Sequence, residues 1–275
     1  MRHLRTVEID EHERDSLRRS FESARPFPHV VLDGQLVASP EEMVAAFPSP
    51  AWDGWQRYGD EYQKGKMICR DIEVIPDPFR SIIEEASAPS FLQFLEHVTG
   101  IGKLLVDPYL EGGGLHASGA GGILAPHTDF HVYTRLQLYR RINVLIYLNP
   151  EWEQAWGGCL ELFADQKATA PVETVVPTFG RMVIFQTDDR SVHGFTQPID
   201  AGGRYRRSIA LYYYTSEESE SFSGDTNTYW KQHGEQSGRQ RLRLGAYRGL
   251  LFGSRALSWL AHRVNPNLGS RLKPK

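Results

Sequence analysis

Cysteine is scarce: Cys69 and Cys159 are the only two in 275 residues. Two thiols cannot build a disulfide framework, and no C-x-x-C pair is present. The expectation is reduced thiols in a cytoplasmic protein. No run of about 18 apolar residues exists, which excludes a conventional membrane-spanning helix. The opening stretch, MRHLRTVEIDEHERDSLRR, carries charge but no apolar centre, so no secretory signal is expected there. No repeat of fixed period is visible, which argues against a solenoid or propeller. A large basic excess is also missing: the net charge is −3, which weighs against a nucleic-acid binder. What is present is ordinary globular material, 40% hydrophobic and 24% charged, with 6 Trp, 12 Tyr and 13 Phe. That many aromatics excludes disorder as the main state.

One further absence is local. From Arg239 to Lys275 there is no Asp or Glu, while seven Arg and two Lys give +9. The rest of the chain holds 22 basic and 34 acidic residues, a balance of −12. Leu244, Tyr247, Leu250, Leu251, Leu257, Trp259 and Leu260 recur there at helical spacing. The tail is expected to pack on the acidic body of the same chain. The alternative is a basic amphipathic helix that meets an anionic membrane surface or a phosphorylated ligand.

The chain reads in three parts. Residues 1–105 give helices and edge strands that buttress a β core. Ser39-Pro40-Glu41-Glu42 opens a helix, with Ser39 at the N-cap and Pro40 in the first turn. FRSIIEEA and SFLQFLEHV are two more helices, separated at Ala88-Pro89. Residues 106–216 hold short β runs: 141–149, 158–163, 173–180, 181–187 and 205–215. Such runs with turn signals between them predict a mainly β sandwich, barrel or jelly roll. Residues 217–275 form the basic helical tail, and the whole is expected to be a single domain with that tail on or beside the core.

His127-Thr128-Asp129 is the sharpest local feature. Residues two apart in a strand project to one side, so an imidazole and a carboxylate can face one ion. Two histidines and one carboxylate on one face of an octahedral ion form the facial triad of non-haem Fe(II) oxygenases. His193 follows the apolar run RMVIFQT, 64 residues after Asp129, and is the natural third ligand. The pattern alone is common, because the chain has 10 His. His131 competes at the same strand parity, and His116 is another candidate; both read as pocket-lining or hydrogen-bonding residues. A facial-triad iron needs an oxidisable co-substrate, and a dicarboxylate needs a cation for its far end, best met by the arginine fork. Arg204, Arg206 and Arg207 follow His193 closely, and Arg206 shares a strand face with Ser208.

These pieces resemble the 2-oxoglutarate/Fe(II)-dependent dioxygenase superfamily, in its prolyl-hydroxylase-like branch. The matching segments, in family order, are PHTDF (126–130), RRINVLIYLNPEW (140–152), WGGCLELF (156–163), PTFGRMVIFQ (177–186), SVHGF (191–195) and RRSIALYYY (206–214). The resemblance implies a double-stranded β-helix (jelly roll) core with flanking α-helices. It matches His127, Asp129 and His193 to the iron ligands and catalytic centre. It matches Arg206 to the arginine that binds the distal carboxylate of 2-oxoglutarate, with Ser208 in the small position after it; Arg204 and Arg207 are the fallbacks. Asn143, Leu145 and Tyr147 share the strand face that lines the co-substrate pocket, and Ile142, Val144, Ile146 and Leu148 take the core face. The implied cofactors are Fe(II), 2-oxoglutarate and O2, and the implied activity is hydroxylation of an unactivated C–H with release of succinate and CO2. An intact Asp129 favours hydroxylation over halogenation. The arginine pattern of the nucleic-acid demethylases is absent after His193, so a nucleic-acid partner is not expected.

The expected substrate is a peptidyl or free amino acid or a small metabolite. GGGLHASGAGG (112–122) and HVYTRLQLY (131–139) are expected to shape the pocket mouth. Arg135 and Arg140 read as surface arginines able to pair with an anionic substrate. Tyr58, Tyr62, Lys64 and Lys66 are candidates for a lid. Two competing readings are a cupin-like metalloenzyme that uses no 2-oxoglutarate and a non-catalytic jelly-roll binding module.

Overall fold

The fold was analysed in a computed structural model, which describes residues 2–165, 167–217, 228–231 and 238–264. The chain divides into two units, Met1–His233 and Gly234–Lys275.

In the first unit, local chemistry sets the helix ends. Helix α1 (Glu11–Ser23) starts where the Asp10 side chain accepts the Glu13 N–H. After strand β1 (His29–Leu32), helix α2 (Pro40–Ala46) is capped by Ser39, which accepts the Glu42 N–H. Strands β2 (Gln56–Tyr58) and β3 (Gln63–Cys69) form a hairpin. Helices α3 (Phe79–Ala86) and α4 (Pro89–Thr99) come next, the second begun by Pro89 and ended by Gly100 in the left-handed region at φ 70°. The Gly100 amide reaches back to the Glu96 carbonyl, as a glycine C-cap does.

The remaining strands are β4 (Leu105–Val106), β5 (Gly114–Thr128), β6 (Val132–Tyr133), β7 (Leu138–Tyr147), β8 (Leu160–Phe163), β9 (Pro171–Val175), β10 (Met182–Gln186), β11 (Val192–Phe195), β12 (Arg206–Thr215) and β13 (Tyr229–Trp230). They form an antiparallel sheet in the order β1-β10-β7-β12-β5-β11-β8-β9. The architecture is mainly β, a jelly roll with flanking helices. Strand β5 belongs to both walls. Its first part pairs β12, with Ser118 opposite Arg206. Its last part pairs β11, with His127 opposite His193. Most of the segment expected to shape the pocket mouth, 112–122, is strand, and Gly112, His116 and Ser118 from it line the cavity. A Cβ on Gly114 would lie 2.1 Å from the Cys69 carbonyl oxygen, so this glycine permits close strand approach.

Alternation along β7 separates two packing faces. Ile142, Val144 and Ile146 join Ile184, Ile209 and Leu211 in a core closed by Ile82, Phe91, Phe94 and Leu95 from α3 and α4. Tyr147 and Leu145 face the other way, with Val183, Phe185, Leu160 and Leu162. The N-terminal part does more than buttress: β1 extends one sheet edge and β3 pairs β5.

The second unit contains helix α5 (Gly238–Val264), which has six arginines and no acidic residue. Leu242, Leu250, Phe252 and Leu257 on it are exposed. Residues 265–275 of the expected basic tail lie outside the described residues.

Candidate functional site

A cavity of about 560 Å³ opens between the two walls of the jelly roll, and the strand registers place its lining. Across β3, β5 and β12, Lys66, Ser118 and Arg206 form one row. Ile68, His116, Ser208 and Tyr147 form the next, reaching β7. His127 and His193 stand opposite each other at the far end of β5.

His127, Asp129 and His193 are buried and offer ligand atoms that all lie within 4.8 Å of one another. Each imidazole is fixed by its own strand: His127 Nδ1 donates to the Ala125 carbonyl and His193 Nδ1 to the Ser191 carbonyl, both at 2.9 Å. A carbonyl only accepts, so the proton sits on Nδ1 and the Nε2 lone pairs face the carboxylate. Each Nε2 lies 3.6 Å from an Asp129 oxygen. That separation suits cis ligands of one octahedral ion, and the donor set is that of a ferrous facial triad. Burial, and then the neighbouring His127, push His193 down to about 4, which keeps it a neutral ligand. Trp230 packs on His127 with ring centroids 4.8 Å apart, and Phe185 meets His193 edge-on, also at 4.8 Å.

Asp129 is held from behind. Asn143 Nδ2 donates to Asp129 Oδ2 at 2.8 Å, Arg140 Nη2 lies 3.0 Å from the same oxygen, and Arg140 Nε donates to Asn143 Oδ1 at 2.8 Å. The Arg140 guanidinium lies over the Tyr212 ring at 3.4 Å and faces Phe130 at 5.0 Å. Burial alone raises a carboxyl, but Arg140, then the two histidines, holds Asp129 well below the usual range. Arg140 is 1% exposed, so the surface reading of this residue is overturned. An arginine in a strand of alternating polarity carries no mark in sequence that its partner is the metal-site carboxylate.

At the other end, Arg206 Nε donates to the Gly158 carbonyl at 2.6 Å and Nη2 to the Tyr147 hydroxyl at 3.2 Å. Its guanidinium sits between the Tyr147 and Phe195 rings, at 5.0 and 4.7 Å. Ser208 is buried beside it on the cavity wall. Arg207 points away, over Phe47, and Arg204 is exposed over Trp156. Of the three arginines, only Arg206 reaches the cavity. Asn143 and Leu145 line it, and Tyr147 reaches it through Arg206. His116 lines the cavity, whereas His131 is buried outside it, 3.3 Å from Asp189. Tyr58 and Lys66 line the cavity from the β2–β3 hairpin, and Tyr62, from the turn of that hairpin, stacks on Trp230. Trp230 belongs to a two-residue strand that no sequence signal marks.

Residues 113–214 match the family model of the 2OG-Fe(II) oxygenase superfamily. This segment, just over a third of the chain, is similar to that superfamily. Among curated proteins, a prolyl 3,4-dihydroxylase of Ostreococcus tauri is 31% identical over 144 residues. That alignment covers 49% of this chain and 26% of the relative, so the chain spans about a quarter of that relative's length. Among solved structures, a prolyl 4-hydroxylase of Phytophthora capsici shares the fold with a TM-score of 0.50 and 20% identity, covering 77% of this chain and 65% of that one. The epimerase SnoN of nogalamycin biosynthesis, solved with Fe3+, alpha ketoglutarate and nogalamycin RO, has a TM-score of 0.51 and 16% identity, covering 80% and 96%. The matched segment carries the metal cluster, Arg206, Ser208 and Tyr147. Lys66, Tyr58, Gln63 and Trp230 enter the same cavity from outside it.

Proposed function

We propose that the chain is an Fe(II)- and 2-oxoglutarate-dependent dioxygenase that hydroxylates an unactivated C–H of a peptidyl or free amino acid or of a small metabolite. The observation that carries this reading is one cavity with a His127–Asp129–His193 cluster at one end and a buried arginine at the other. The three clustered side chains would hold the iron. Arg206 would grip the distal carboxylate of 2-oxoglutarate, with the Tyr147 hydroxyl and Ser208 beside it. Bound iron and 2-oxoglutarate would supply the oxidising power, with dioxygen consumed and succinate and carbon dioxide released. Asn143 and Arg140 would keep the Asp129 carboxylate ionised and turned toward the metal, as outer-shell partners do. Phe185, Trp230 and Phe195 would keep bulk water from the reacting end.

Adding 2-oxoglutarate to the anaerobic Fe(II)-loaded protein should produce a visible charge-transfer band, and air should then release succinate. A metalloenzyme that uses no 2-oxoglutarate would show neither. A binding module would keep its ligand affinity in His127→Ala. Arg206→Met should weaken 2-oxoglutarate binding by about 100-fold, in line with loss of one partner of a buried charge pair. Its metal affinity should hold.

A further inference from the structure

The cavity has more positive charge than the proposed cofactors neutralise. Among the described residues its lining holds Lys66, Arg135, Arg140 and Arg206 against Glu111 and Asp129. A ferrous ion and the 2-oxoglutarate dianion cancel each other. Two positive charges are left over.

Their positions show where that excess acts. Arg140 is committed to Asp129, and Arg206 to Gly158, Tyr147 and the co-substrate end. Arg135 lies over the Tyr109 ring at 3.5 Å, at the exposed rim. Lys66 is different. It sits on β3, two strands from Arg206 in the same row, with Ser118 between them. Its Nζ donates to Gln63 Oε1 at 3.1 Å, a neutral partner that leaves two protons to direct elsewhere. Asp60, the nearest acidic group of its own hairpin, accepts the Tyr62 and Gln63 amides. Burial brings the Lys66 ammonium down to about 8, with the Asp129 and Asp60 charges opposing that shift and Arg206 and Arg140 adding to it, so it remains mostly charged at neutral pH. A cation kept in such a place without a matching carboxylate is a receptor for an anion.

We propose that Lys66 is the anion-recognition point of the substrate pocket, and that the substrate therefore carries a carboxylate or phosphate group. The assignment rests on the oxygenase reading for which end of the cavity the co-substrate takes. It also places specificity on the β2–β3 hairpin, outside the segment that the family shares.

The test uses the full chain loaded with Fe(II) and 2-oxoglutarate without oxygen. Inorganic phosphate, propionate and the neutral control propionamide are titrated in turn. Binding is read from the charge-transfer band and from tryptophan fluorescence, since Trp230 lines the cavity. At least one anion should saturate the wild type, and propionamide should not. Phosphate alone would identify a phosphorylated substrate, and propionate alone a carboxylate. Lys66→Met should weaken anion binding about tenfold or more, Lys66→Arg should retain it, and the 2-oxoglutarate affinity of Lys66→Met should stay within twofold of wild type. The proposal is overturned if neither anion saturates the wild type at tens of millimolar, or if Lys66→Met binds anions unchanged. A tenfold loss of 2-oxoglutarate affinity in Lys66→Met would also overturn it, because Lys66 would then belong to the co-substrate. Absence of the band in the wild type would instead count against the oxygenase reading, and fluorescence would still report the anion site.

Discussion

Arg140 is buried, yet it governs the state of the carboxylate in the metal cluster. Its guanidinium and the Asn143 amide converge on Asp129 Oδ2, while Tyr212 and Phe130 hold the guanidinium plane. Arg140→Met keeps bulk and loses the fork. Metal affinity should fall about 10- to 100-fold, the usual range for removal of an outer-shell partner, as a Co(II) titration would measure. Arg140→Lys should recover only part, because an ammonium cannot serve Asp129 and Asn143 in one plane. At this scale, position in sequence was a good guide where side chains share a strand face. Asn143, Leu145 and Tyr147 lie on one side of β7, and Arg206 rather than Arg207 turns inward. The role of Arg140 was not legible, because a buried charge is defined by its partner, here Asp129 beyond the end of another strand; Lys66 stood out only as a lid candidate.

Among the elements, β5 does most of the positioning and depends on glycines for close contact. Gly114 has φ 92°, and a side chain there would strike the backbone of β3. Gly114→Ala should cost about 3 kcal/mol or more, from strain and overpacking together, visible as a lower denaturant midpoint. The helices act through their apolar faces. Phe94 of α4 is fully buried in the core behind β7, so Phe94→Ala should cost roughly 3–5 kcal/mol without moving the metal cluster. The helix starts were readable from Ser39, Pro40 and Pro89, because capping is local chemistry. The role of 112–122 was not. Glycine in a loop and glycine under a crossing strand look alike until the partner strand is known.

For the whole molecule, two histidines buried uncharged link stability to pH. Burial, then the Lys66 charge, takes His116 down to about 3, and burial, then His127, takes His193 to about 4. Both are 6.5 when unperturbed, so below that pH the unfolded chain binds protons that the folded chain refuses. Stability should therefore fall as pH drops, by roughly 2 kcal/mol per histidine between pH 7 and 5. Urea unfolding of the chelator-treated protein at the two pH values checks this. His116→Asn should remove about half of the difference.

The sharing of β5 between both walls has a metric consequence. Arg206 is registered to Ser118 and His193 to His127, so β5 carries the strand partners of both the buried arginine and the metal cluster, with β3 spanning the bulge at 119–122 between them. The framework is a ruler, and under the proposed function the object it would measure is the carbon chain of the keto acid. Oxaloacetate, one carbon shorter, and 2-oxoadipate, one longer, should each bind at least about tenfold more weakly than 2-oxoglutarate, since neither can place both ends at once.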